Sequence, residues 1–166
     1  MLSLEGALGT GSALNIPVVL NGGSNNDKLT GGTQNDVLNG GDGKDTCFAL
    51  KTADGADICN GNLGIDTASY TKRLGAVTID IGGGANDGTP GEGDTIASDV
   101  ENLTGGKGGD TVKALLAGAN IAKGGKGNDT IDVRDGVNSN GDKADGGAGT
   151  DTCQADTGDT KIACEG

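Results

Sequence analysis

The chain has no tryptophan, no histidine, one phenylalanine, one tyrosine and two prolines in 166 residues. A broad globular core relies on several large rings, so the core here has to be thin and built from Val, Ile, Leu and Ala. Without histidine, a serine or threonine nucleophile has no imidazole base and a transition metal has no imidazole ligand. Basic residues number 12 against 24 acidic ones, a net charge of −12. That sign argues against nucleic acid and against an anionic membrane surface as partners. No run is long and apolar enough to span a membrane. Residues 1–20 also lack a basic start, and Glu5 and several glycines interrupt any apolar stretch, so no secretory leader is read there.

What is present is glycine and aspartate. Glycine occurs 35 times, and Asp supplies 20 of the 24 acidic residues. Without a period, such a composition reads as disorder, so periodicity has to decide. Asp has a short stem that keeps its carboxylate beside the backbone of a tight turn, which suits ligation of a hard cation together with main-chain carbonyls. The four cysteines fall in two local pairs, and Cys47–Cys59 and Cys153–Cys164 are the natural disulfides. A zinc site is the alternative, although the pairs are not CxxC and no histidine assists. Disulfides would imply an oxidising compartment, hence a secreted, extracellular or cell-surface protein.

The period is nine. From Gly22 run GGSNNDKLT (22–30), GGTQNDVLN (31–39) and GGDGKDTCF (40–48), each with Gly-Gly at positions one and two, Asp at six and an apolar residue at eight. After 49–51 the period resumes as TADGADICN (52–60) and GNLGIDTAS (61–69). It blurs between Tyr70 and Leu103, where AVTIDI (76–81) alternates like a half-buried strand, GGGAND (82–87) reads as another turn and GEGDTIA (91–97) follows a Pro-containing loop. GGKGGDTVK (105–113) restores it, a degenerate unit carries Asn120 where Asp is expected, and GGKGNDTID (124–132), NGDKAD (140–145) and GGAGTDTCQ (146–154) complete the series.

Positions one to six predict a tight turn and seven to nine a short strand. Gly at the start permits close backbone approach. Position eight points inward, at Leu29, Leu38, Cys47, Cys59, Val112, Ile131 and Cys153. Two units make a coil of about 18 residues, so Asp27 should stack over Asp45. Stacked carboxylates repel, and three-residue strands bury little, so the metal-free chain is expected to be largely unfolded. Asp87, Asp94 and Asp142 are weaker ligand candidates.

GGTQNDVLN, GGKGNDTID and GGAGTDTCQ resemble the repeat-in-toxin (RTX) nonapeptide, GGxGxDxUx, of haemolysin-type calcium-binding proteins. GIDTASY (64–70) and DVENLTGGKGGDTV (99–112) are similar to connecting segments of such proteins. The resemblance implies an all-β, right-handed parallel β-roll with calcium (Ca2+) bound in the turns. It implies ligands at Asp27, Asp36, Asp45, Asp57, Asp66, Asp110, Asp129 and Asp151, in turns opened by Gly22, Gly31, Gly40, Gly105, Gly124 and Gly146. Asn25 and Gln34 depart from the usual Gly at position four, Thr52 and Ala53 from the Gly pair, and Asn120 from Asp, which marks weaker sites.

The reading is thus a calcium-dependent, rigid extracellular structural module and not an enzyme. A nucleotide-binding glycine loop is disfavoured, because the motif recurs without a following helix and acidic residues repel phosphate. Catalysis would have to come from carboxylate pairs such as Asp99 with Glu101 or Asp132 with Asp135. Residues 1–21 read as an N-terminal cap or an assembly strand. Residues 22–166 read as one roll with an irregular middle segment at 70–104 and a disulfide-stapled C-terminal end. The alternative function is a self-assembling filament or surface-layer subunit, its partner a second copy or another cell-surface component. An ice- or polysaccharide-binding repeat face is a further alternative, disfavoured by the irregular residues at positions three and five.

Overall fold

Positions seven to nine of the repeats alternate polar, apolar, polar, and this period of two puts one side chain per strand into the interior. In the computed structural model, which describes residues 2–3, 15–138 and 141–165, these triplets form short parallel strands stacked into a β-solenoid. No helix occurs among the described residues. One face is a continuous eight-stranded sheet of β1 (Leu2–Ser3), β3 (Lys28–Thr30), β5 (Thr46–Phe48), β7 (Thr67–Ser69), β10 (Asn102–Thr104), β12 (Ile121–Lys126), β14 (Lys143–Ala148) and β16 (Thr160–Ile162). The opposite face is split. Its first half is β2 (Val19–Ser24), β4 (Val37–Gly43), β6 (Ile58–Gly64) and β9 (Thr95–Ile96); its second half is β8 (Thr78–Asp80), β11 (Thr111–Lys113), β13 (Thr130–Asp132) and β15 (Thr152–Gln154).

Register follows the repeat. Leu29 pairs with Cys47, Cys47 with Ala68, Ala68 with Leu103, Leu103 with Ala122 and Ala122 with Ala144, forming one inward file. The files opposite are Leu20, Leu38, Cys59 and Ile96, then Ile79, Val112, Ile131 and Cys153. Every one of these side chains is buried. Across the downstream interior, Ala122 and Ala144 on one side face Ile131 and Cys153 on the other, all of them buried, and the small side chains let the two sheets approach closely. Such a core needs no tryptophan. Both disulfides form, Cys47–Cys59 with Cα atoms 6.1 Å apart and Cys153–Cys164 at 5.7 Å. The first joins β5 to β6 and crosses the interior from one face to the other.

Two features differ from the simple turn-plus-strand unit. β4 and β6 run on past position nine through the glycines, because Gly41, Asp42 and Gly43 keep pairing with Asn62, Leu63 and Gly64 in the next coil. The middle segment also reverses the order of layers. β8 comes before β9 in the chain, yet among the described strands β8 pairs with β11 and β9 with β6. The excursion between them closes through antiparallel bridges, Thr78 with Gly88 and Asp87 with Asp94, and Gly82 N–H donates to the Ile96 carbonyl at 2.9 Å. AVTIDI behaves as read, with Val77, Ile79 and Ile81 buried around β8. Of the N-terminal cap or assembly strand, residues 4–14 lie outside the described residues; β1 pairs in parallel with β3, and β2 with β4.

Candidate metal sites in the turns

The turns stack in two rows along the solenoid, and in each row the position-six residues form a ladder. In the first row the N–H of Asp27 donates to Asp45 Oδ1 at 2.7 Å and the N–H of Asp45 to Asp66 Oδ1 at 2.7 Å. The second row runs from Asp36 to Asp57 at 2.8 Å and from Asp57 to Asp94 at 2.9 Å. Downstream it resumes from Asp110 to Asp129 at 2.7 Å and from Asp129 to Asp151 at 2.8 Å. Asn120 keeps the register, its N–H donating to Asp142 Oδ1 at 2.8 Å. The expected stacking of Asp27 over Asp45 is therefore realised as a hydrogen bond between coils.

Each carboxylate so placed has one oxygen engaged. The second oxygens of Asp45, Asp66, Asp129 and Asp151 are buried with no hydrogen-bond partner. Leaving a charged oxygen dry and unpaired costs on the order of 1–3 kcal/mol or more. These oxygens face the opening glycines. A Cβ placed on Gly40 would lie 2.5 Å from Asp45 Oδ2 and 2.7 Å from the Gly61 carbonyl, and one on Gly22 2.5 Å from the Gly40 carbonyl and 2.9 Å from Asp27 Oδ2. Gly105, Gly124 and Gly146 are likewise closed in by the second oxygens of Asp110, Asp129 and Asp151. A side chain at position one would thus fill the space where a carboxylate oxygen and, at Gly22, Gly40, Gly105 and Gly146, a carbonyl of the next coil converge.

Not all turns are alike. Asp36 Oδ2 accepts the Gly32 N–H at 2.5 Å, and Asp110 Oδ2 accepts the Gly106 N–H at 2.5 Å, so both oxygens of these two residues already have donors. Asn25 replaces the usual Gly at position four and adopts φ 81°, the left-handed conformation that asparagine tolerates. Gln34, the other substitution, has no positive φ, and it belongs to the turn in which Asp36 folds back on its own glycine. Burial, more than repulsion from the flanking carboxylates, raises the pKa of Asp129 to about 6. It also raises Asp57 to about 7, and Asp66 and Asp110 upward.

The donor set fits a hard divalent cation. Among the described residues, the buried side-chain atoms of these turns that lack a hydrogen-bond partner are carboxylate oxygens, and such oxygens are what calcium takes. Among the described residues no three Asp, Glu, Cys or His side chains converge on a point. A cation here would draw one carboxylate from each turn and complete its shell with main-chain carbonyls.

Sequence reasoning missed the glutamates. Glu101 Oε2 accepts the Asp66 N–H at 2.7 Å and Glu165 Oε2 the Asp151 N–H at 2.6 Å. Asp99, suspected as a catalytic partner of Glu101, instead accepts the N–H groups of Gly61 and Asn62 at 3.0 and 2.9 Å. Asp132 pairs with Arg134, and Asp135 accepts the Val137 N–H at 2.7 Å. The available signal was rarity: Glu appears four times in the chain, and Glu101 and Glu165 extend the ladder where the nine-residue spacing lapses.

The middle segment carries a different network. Arg73 is buried, and its Nη2 bonds Asp54 and, at 2.5 Å, Glu92. Tyr70 donates its hydroxyl to Asp94 Oδ2 at 2.8 Å. Burial pushes Asp54 well above the usual carboxylate range, while hydrogen bonds from its neighbours outweigh burial and hold Glu92 low.

A family model for the RTX calcium-binding nonapeptide repeat, built of four copies, matches residues 21–54, 49–68 and 116–139. No curated protein matches the chain. Coils of nine-residue units, aspartate ladders and partnerless carboxylate oxygens in glycine cradles agree with that match, and over these segments the chain is similar to RTX calcium-binding repeats.

Proposed function

We propose that the protein is a calcium-dependent structural rod, acting outside the cell, whose turns bind calcium through the position-six aspartates and main-chain carbonyls. The observation that carries this reading is the set of buried, partnerless oxygens on Asp45, Asp66, Asp129 and Asp151. These four are the principal ligands; Asp27 and Asp57 extend the same rows, and Asp36 and Asp110 contribute less because their oxygens already accept N–H donors. Gly22, Gly31, Gly40, Gly105, Gly124 and Gly146 keep the space beside the carboxylates open. Bound calcium supplies positive charge that offsets repulsion between stacked carboxylates and ties adjacent turns together. The chain's own part is to hold each carboxylate in place through the interstrand ladder, so that the turns are preorganised once strands pair. Two disulfides support the extracellular assignment, since such bonds persist in oxidising compartments.

A calcium titration followed by far-UV circular dichroism and light scattering tests the reading. Strand signal that rises with calcium at constant particle mass is the expected result. Strand signal and particle mass rising together would replace the rod with a self-assembling subunit. No response to calcium would remove the ligand assignment. One observation favours a repeat face that binds an ordered surface such as ice: Thr78, Thr111, Thr130 and Thr152 form a file along the second half-face. Thermal hysteresis at calcium saturation checks it, and an inactive sample dismisses it.

A further inference from the structure

We infer that the irregular middle coil is a metal-independent keystone, in which Arg73 supplies the positive charge that calcium supplies in the repeat turns. The inference rests on the calcium reading of those turns. In the repeat turns, Asp45, Asp66, Asp129 and Asp151 each keep a buried oxygen without a partner. In the middle coil Asp54, Glu92 and Asp94 are satisfied by the protein itself, while Asp80 keeps one buried oxygen without a partner. Asp54 accepts the Leu50 N–H at 2.8 Å on Oδ2 and Arg73 on Oδ1. Glu92 accepts the Asp54 N–H at 3.0 Å together with Arg73 on Oε1, and the N–H and hydroxyl of Thr89, both at 2.8 Å, on Oε2. Asp94 accepts the Asp57 N–H on one oxygen and the Tyr70 hydroxyl on the other.

The position of Arg73 matters as much as its charge. The second-row aspartate ladder is interrupted once, between Asp94 and Asp110, and Arg73 stands at that interruption. Its main chain rests on the downstream array, where the Lys107 N–H donates to the Arg73 carbonyl at 3.0 Å. Its side chain reaches the upstream array through Asp54, in the turn where Thr52 and Ala53 have replaced the glycine pair. The guanidinium also lies 5.8 Å from the centre of the Tyr70 ring. A charge-assisted pair this deep is costly to break, because removing one partner strands the other. The Cys47–Cys59 disulfide anchors the same coil on its upstream side. Two calcium-dependent arrays therefore flank a coil that closes without metal and offers each array a preformed edge on which to stack.

Hydrogen exchange read by mass spectrometry, on the full chain in metal-free buffer and in saturating calcium, tests this. In metal-free buffer, amides within 77–104 should exchange about tenfold or more slowly than those of 22–45 and 124–151, as expected of a locally stable unit. Calcium should then protect the two flanking regions. Arg73→Met and, from the other side of the pair, Asp54→Asn should abolish the metal-free protection of 77–104 while leaving calcium-induced protection of 22–45 and 124–151 in place. If the middle coil exchanges as fast as its flanks without metal and calcium protects all three, the keystone is wrong and the calcium reading stands. Uniform protection indifferent to calcium overturns both. Variants that lose protection everywhere even with calcium also overturn the inference, since Arg73 would then be a general packing residue.

Discussion

A position-six aspartate has two oxygens with separate duties. One accepts a backbone N–H from the preceding coil, and this is purely structural. The other is free for a cation in Asp129 but already engaged in Asp36. Asp129→Asn should therefore raise the calcium concentration at half-folding by about tenfold, or about 1.4 kcal/mol, and Asp36→Asn should shift it less, both read by circular dichroism titration. Equal shifts would mean that the partnerless oxygen has no special role. Glycines divide in the same manner. Gly40→Ala would push a methyl against Asp45 Oδ2 and the Gly61 carbonyl, and overpacking against backbone costs about 1–3 kcal/mol. Gly75 has no positive φ and open space at its Cβ position, so Gly75→Ala should be neutral or slightly stabilising in calcium-loaded thermal melts.

At the scale of elements, three-residue strands are too short to persist alone and depend on their neighbours along the axis. Where the nonapeptide lapses, other devices take over. Cys47 and Cys59 occupy inward positions of β5 and β6 and clamp the two faces. A Cys47→Ser/Cys59→Ser double variant should lose about 2–3 kcal/mol, the constraint expected for a loop of that size, measured by urea unfolding in saturating calcium. Glu101 and Glu165, each with one more methylene than Asp, continue the ladder where the spacing has changed. The position-eight rule was legible in the repeats and holds for all seven residues named from it. The crossing of β8 and β9 was not legible, because alternation in AVTIDI shows a strand but not which rung it joins.

For the whole molecule, burial of its carboxylates sets the response to pH. Burial first, then neighbouring carboxylates, pushes Asp87 and Asp57 up to about 7 and Asp94 and Asp129 to about 6, against an ordinary value of 3.8. Because the folded-state values are raised, protonation favours the metal-free fold. That contribution is complete below about pH 4 and is lost as pH rises through 6 to 7. In metal-free buffer the strand signal should accordingly be larger near pH 4.5 than at pH 8. The calcium concentration at half-folding should rise as pH falls from 8 to 5, since protons and calcium compete for the same oxygens. Circular dichroism across that range checks both signs, and a metal-free strand signal that grows with pH would show that these carboxylates remain ionised in the fold.

The sequence by itself determined the all-β solenoid, the inward file, the cysteine pairs and the aspartate rows, because each follows from a fixed nine-residue spacing and a side-chain period of two. Even the weak unit at Asn120 was placed correctly by count alone. Only the tertiary structure decided which aspartate oxygens have no partner, that glutamates continue the ladders, and that Arg73, Asp54 and Glu92 meet in the interior. Those contacts join residues 19 apart in the chain on either side of Arg73. No local period encodes them, since they depend on how the coils stack where the repeat breaks.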